Sequence, residues 1–337
     1  MRAFTHKFEV VDLVCQLSLN APIPDTMGAH RTGHIALDNG RTMQLIFRHS
    51  QSTAALLYLH ETQPNDEWYS LVGLPSAAPS QQTVPGQLVL GTTRAELVAR
   101  GVRDIFHTEH LRESLKNLPQ SQIAIVPVLR EGLKYGLADA LHSVCGFYCN
   151  ELPIEAHADA ATIARRVEIT QFKDQDLTNA HRSRIRTVLI GDSIANGTVL
   201  LSVLDFLKTC LPNFINVELI APLAAIEGLA RVTAYAHPSL ILRAHIFETP
   251  LNALPPNFYY SAHFPHPEFH IRPDLEVSYR AWWGRDPDGI PIADTPCAGY
   301  GWSEAFFNPA KQIDMINAQL REKHRVNITN VLKRHVR

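Results

Sequence analysis

Thr187-Val188-Leu189-Ile190-Gly191-Asp192-Ser193-Ile194-Ala195-Asn196-Gly197-Thr198 joins a short apolar run to a turn of small and polar residues, and a helix is predicted to follow over 199–210. An apolar run this short, closed by glycine, reads as a strand buried on both faces. The acid directly after it and the Gly-containing turn at the helix N-terminus suit a phosphate held by backbone donors. Asp192 is then placed to accept from sugar hydroxyls or to bind a metal. Gly, Asn and Thr in such a turn also serve simply to cap the helix, so the turn alone leaves both readings open.

The same alternation extends to either side. Gln122–Leu129 is a continuous apolar run, followed by Arg130-Glu131-Gly132 and an amphipathic stretch from Leu133 to Ser143. Downstream, Val217–Ala224 precedes a predicted helix over Glu227–Ala236, and Leu240–Ala244 reads as a further strand. Short buried strands separated by helices of about ten residues imply βαβ units. The expected fold class is α/β, with an open, mainly parallel sheet covered by helices on both faces.

Residues 1–75 read as strand-rich, with an Asn39-Gly40 turn between apolar arms over Ile35–Phe47 predicting a β-hairpin. A Pro/Ser/Gln-rich connector over 75–87 marks a boundary, and Thr93 with Glu96 three residues on opens a helical pattern running to about Leu118. Three units are expected: a strand-rich extension and linker (1–87), an α/β domain (88–310) with an insert at 253–287, and a basic helical tail (311–337). The insert is crowded with Pro, His and aromatic residues; a substrate lid, an oligomer contact and a self-packed insertion all fit it. From Arg321 the tail carries six Lys/Arg against one Glu. That pattern suits a solvated helix face, or contact with nucleic acid or a protein partner.

Composition sets the outer limits. The chain has 337 residues, 45% hydrophobic and 19% charged, with a formal net charge of −2, which excludes a disordered chain and gives no global electrostatic case for nucleic acid. Arg2, Lys7, Glu9 and Asp12 interrupt the stretch where a signal peptide would need an apolar core, and no apolar run reaches membrane length. A cytoplasmic protein without a membrane partner is expected. The five cysteines, odd in number and mostly in apolar segments, suit reduced thiols. His142, Cys145 and Cys149 fall close together but lack the fourth ligand and second pair that zinc would want.

The region from about 122 to 252 resembles the uracil phosphoribosyltransferases of the type I phosphoribosyltransferase fold. Three blocks carry the resemblance, in the family's order: Val126-Pro127-Val128-Leu129-Arg130-Glu131-Gly132-Leu133, the loop quoted at the outset, and Ala224-Ala225-Ile226-Glu227-Gly228-Leu229 with Ala236-His237-Pro238. They span a little over a third of the chain. The resemblance implies transfer of ribose 5-phosphate between phosphoribosyl pyrophosphate, or a nucleotide, and a nucleobase acceptor. It implies catalytic roles for Asp192 and Arg130, and phosphate contacts from Arg130, Glu131 and Gly132. Ala195, Asn196, Gly197, Thr198 and Val199 would hold the 5-phosphate through their amides, and Lys173, with Arg165 and Arg166, would close over the pyrophosphate. Ile292, Asp294, Ala298 and Gly299 would face the acceptor. Mg²⁺ would arrive with the substrate rather than on protein ligands, and a homo-oligomer is the family's habit.

This chain also departs from the pattern. The family's leading loop acid falls on Gly191, its paired glycines become Gly197-Thr198, and its terminal hydroxyl residue becomes Val199. At the acceptor end the flanking acids fall on Cys297 and Tyr300 and an Arg on Gly301, so the acceptor is left open. A second reading is therefore a catalytically divergent effector or regulator of an intracellular defence or nucleic-acid-associated system.

Overall fold

The computed structural model describes residues 4–10, 13–57, 91–129, 131–158, 167–173, 177–247, 281–292 and 309–335. The N-terminal part supplies β1 (Phe4–Val10), β2 (Leu13–Leu19), β3 (Ile23–Asp25), β4 (Gly28–Leu37), β5 (Thr42–His49) and α1 (Gln51–Leu57). Next come α2 (Gly91–Phe106), α3 (Glu109–Leu115), β6 (Ile123–Leu129), a 3-10 turn over Glu131–Tyr135 and α4 (Leu137–Cys145). These are followed by β7 (Asn150–Glu151), β8 (Ile154–Ala158), β9 (Val167–Phe172), α5 (Asn179–Arg182), β10 (Thr187–Gly191) and α6 (Thr198–Cys210). The last elements are β11 (Asn216–Ile220), α7 (Ile226–Tyr235), β12 (Ile241–Phe247), α8 (Pro309–His324) and α9 (Ile328–Leu332).

The expected α/β architecture is present. Strands β5, β12, β11, β10, β6 and β8 lie side by side with every neighbouring pair parallel. The Asn-Gly hairpin also forms: β4 and β5 pair antiparallel, and Gly40 takes φ +83, the left-handed conformation such a turn demands. The strands of the N-terminal region are not set apart from the rest. β5 lies between its hairpin partner β4 and β12, so β1, β2 and β4 extend the same sheet, in the order β1-β2-β4-β5-β12-β11-β10-β6-β8-β9.

Alternation along the strands sorts the core into two layers. Ala124, Val126, Val188, Ile190, Val217 and Leu219 face one layer, with α6, α7 and the inward residues of β2, β4 and β5. Ile123, Ile125, Leu189, Ile220 and Phe247 face the other, beneath α2, α4, α8 and α9. Each such aliphatic side chain withdrawn from water contributes roughly 2 kcal/mol. The tail belongs to this second layer: Ile316, Leu320, Ile328 and Val331 are buried in it, while Arg321, Lys323, Arg325 and Lys333 stay exposed. His324 Nδ1, 2.7 Å from Asp286 Oδ2, ties α8 to the turn at 285–290.

Two elements differ from the sequence expectation. The amphipathic stretch 133–143 is not one helix, because Gly136 at φ +62 separates the 3-10 turn from α4. Inside the apolar run 217–224, Glu218 is completely buried. Arg243 Nη1 donates to its Oε1 at 2.7 Å, and His245 Nε2 lies 2.9 Å from its Oε2. Burial alone would push this carboxyl up, but the hydrogen bonds and charges of His245 and Arg243 outweigh it and hold Glu218 below the usual carboxylate range.

Glu218→Ala should lower the unfolding free energy by about 3 kcal/mol, because it strands the buried His245 and removes the partner of the partly buried Arg243. A urea titration reads this, and a loss below about 1 kcal/mol contradicts it. The folded pKa lies below the unfolded one, so the contribution is complete above the carboxylate range and is lost as pH falls through the folded value. The gap between wild type and variant should accordingly narrow in acid.

Candidate functional site

Strands β6 and β10 run parallel in register, Gly191 beside Pro127, and β11 ends beside them with Ile220 opposite Gly191. Ligands of open parallel sheets sit beyond such carboxyl ends. A pocket of about 240 Å³ opens there, lined by Val128 and Leu129 from β6, Ala156 from β8, the loop Asp192–Gly197, and Val199 and Leu200 of α6. The two loops singled out from the sequence are thus brought together. Gly132 packs so closely on the end of β10 that a Cβ there would lie 2.5 Å from Gly191 O.

The loop after β10 is fixed along its length. Asp192 N donates to Ile220 O at 3.3 Å, Ile194 N to Leu223 O at 2.9 Å, and Ala225 N to Ile194 O at 2.7 Å. Ile194 thereby continues the parallel pairing as a single bridge to Ala224. Gly197 then turns the chain into α6 at φ +78, and a Cβ on it would lie 2.9 Å from Gly228 O. Gly228 in turn packs on Ala195 O, so the backbones leading into α6 and α7 touch through glycine.

This geometry accounts for two departures from the family pattern. Thr198 is the first residue of α6 and has no positive φ, so its Cβ is no obstacle; Gly197 alone takes the left-handed turn. The acid missing at position 191 has no room, because a Cβ there would lie 2.7 Å from Leu137 Cδ1 and 3.1 Å from Tyr135 Cδ2. Tyr135 carries no motif signal in the sequence, yet it fills the place of that side chain.

Asp192 is half-buried and is the one ionisable group among the described residues lining the pocket. A phosphate here would be held by backbone dipoles and the N-terminus of α6 rather than by a lining cation. The Thr198 amide already donates to Asn196 Oδ1 at 3.1 Å, so a phosphate reaching that amide displaces the Asn196 side chain. Lys173 is exposed just past β9, with its backbone N bonded to Pro153 O at 3.2 Å. Glu131 and Gly132 lie in the 3-10 turn that follows Arg130. Ile292 is fully buried in the helical layer of the core and does not line the pocket. Arg130, Arg165, Arg166, Asp294, Cys297, Ala298 and Gly299 lie outside the described residues.

Elsewhere the chemistry is quiet. Among the described residues no group of three or more His, Cys, Asp or Glu is arranged to hold a metal. Cys145 and Cys149 pack against the helical layer of the core, and burial pushes the Cys149 thiol up to about 12. His142 stacks on Tyr148 with ring centres 4.4 Å apart. No helix among the described residues is long and apolar enough to cross a membrane.

No family model matches the chain, and no curated protein does. Among solved structures it is similar to a hypoxanthine phosphoribosyltransferase from Staphylococcus aureus, at 14% identity and a TM-score of 0.32 over 45% of this chain and 76% of that one. It is similar also to the hypoxanthine-guanine enzyme of L. donovani, at 14% identity and a TM-score of 0.32 over 46% and 81%. The third is the orotate phosphoribosyltransferase of Mycobacterium tuberculosis, at 14% identity and a TM-score of 0.29 over 58% and 92%. Likenesses this distant leave substrate and activity open.

Gly191→Asp, which restores the missing acid, should cost at least about 2 kcal/mol by overpacking Leu137 and Tyr135. Thr198→Gly, which restores the paired glycines, should cost no more than about 0.5 kcal/mol, the helix-propensity difference between Thr and Gly. Urea midpoints read both; an unchanged midpoint for Gly191→Asp contradicts the packing argument.

Proposed function

We propose that this chain is a phosphoribosyltransferase-like enzyme that binds phosphoribosyl pyrophosphate, or a nucleotide, and moves ribose 5-phosphate to or from a nucleobase. The observation that carries the reading is the pocket at the carboxyl ends of β6 and β10. There a carboxylate, a glycine turn and a helix N-terminus converge beside the segment that follows Arg130.

The chemistry sets what the site must do. A bond forms between a base nitrogen and the sugar C1, the bond from C1 to the pyrophosphate oxygen breaks, and the base nitrogen gives up its proton. Pyrophosphate departs with the bonding pair, so the sugar passes through a cation-like state that must be shielded from water. In this reading Asp192 accepts from the ribose hydroxyls and stabilises that positive charge. The amides from Ala195 to Val199 take the 5-phosphate, and Arg130 takes the pyrophosphate through a planar bidentate contact. A single lining carboxylate fits Mg²⁺ that meets the site through the substrate's phosphates better than a cage of protein ligands. The aromatic insert and the residues near Ala298 and Gly299 then shape the acceptor side.

Full-length protein incubated with phosphoribosyl pyrophosphate, Mg²⁺ and adenine, guanine, hypoxanthine, uracil or orotate should release pyrophosphate and form nucleotide with at least one base. Neither product with any base would sink the proposal. Asp192→Asn and Arg130→Ala should each lower turnover by about 10²–10³-fold. Undiminished turnover in either removes that residue from its role.

A further inference from the structure

The turn after Arg130 and the loop after β10 meet through one side chain. Tyr135, at the end of the 3-10 turn, is completely buried, and its ring lies against the backbone of Gly191. Its hydroxyl is 3.1 Å from Ser193 Oγ, and Ser193 lines the pocket next to Asp192. Leu137 and Gly132 approach the same residue of β10, and the ring is buried completely. Packing of this kind fixes where the ring is; only the hydroxyl gives it a directional hold on the loop.

We infer that Tyr135 is a positioning residue: through Ser193 it sets the Asp192–Gly197 loop against the segment that follows Arg130, so that both ends of a phosphorylated sugar meet one prearranged surface. The ligand in this statement rests on the proposed function, whereas the coupling of the two segments does not. The loop's far half is already pinned by the bridge between Ile194 and Ala224 and by Gly197 against Gly228. Its near half is held to β11 through the Asp192 amide on Ile220 O, and at Ser193 the Tyr135 hydroxyl adds a side-chain contact from the other segment. A site ordered before its ligand arrives avoids the entropy of ordering it on binding, and that saving is lost when the tether goes.

Tyr135→Phe keeps the ring and removes the hydroxyl, and Ser193→Ala removes the opposite partner; the contact they share is read from the double variant. With the full chain, calorimetry measures the affinity for ribose 5-phosphate, and amide hydrogen exchange followed by mass spectrometry reads residues 191–198 without ligand. Each single variant should weaken ribose 5-phosphate by about five-fold, the equivalent of one lost hydrogen bond, and the double variant should be no weaker than either single. Exchange over 192–197 should rise alike in both singles while that of α6 stays unchanged. Wild-type affinity in both variants, or losses that simply add, overturns the inference. If wild-type protein does not take ribose 5-phosphate at all, exchange decides the positioning role alone and an unchanged loop refutes it, while the proposed function stands or falls separately on nucleotide formation.

Discussion

Close approach of backbone to backbone is the constraint on which the candidate site depends. Gly132 meets Gly191 O, Gly197 meets Gly228 O and Gly228 meets Ala195 O, and at each point a methyl group would drive two elements apart. These contacts bring the turn after β6, the loop after β10 and the start of α7 to one place. The pocket opens beside them, between the ends of β6 and β8, the loop after β10 and the first turn of α6. Its described lining residues include no cation, so what they offer an anion is oriented peptide groups, which keep their value only while the geometry is held.

The strand ends and the loop at 191–198 are legible in the sequence because the signals are local. An apolar run, a glycine and a capping residue need no knowledge of distant neighbours, and Asn39-Gly40 specifies its hairpin for the same reason. Gly197 and Gly228 are visible as glycines, but that they face each other is a fact of packing. Glu218 shows the opposite limit. It sits in an apolar run with nothing local to say how its charge is met, and only the neighbouring β12 reveals Arg243 and His245 on its two oxygens. Tyr135 is silent in the sequence, since nothing local distinguishes a core tyrosine from one that reaches a loop.

The tail's charge count describes its solvent face and is silent on what its helices rest on. Its excess of Lys and Arg is confined to the outward side of helices whose other side is packed among Trp282, Trp283 and Ile292. His335 stacks on Trp282 with ring centres 4.9 Å apart, and His324 meets Asp286 beneath. The basic residues therefore sit on a rigid platform, a different physical object from a solvated arm.

The place of β5 in the sheet has a consequence for how the chain reaches this form. β5 pairs with β12, whose residues lie about two hundred positions later, and every strand from β1 to β4 joins the sheet through β5. During synthesis from the N-terminus, the five strands β1 to β5 are made before the strand they join has been made. Until then the apolar side of β5, with Leu45 and Phe47, lacks the layer of α6 and α7 in which it is buried. The arrangement raises the mean separation between contacting residues and slows the closing step. It makes β12, remote from the pocket's chemistry, the strand whose arrival joins the two ends of the molecule.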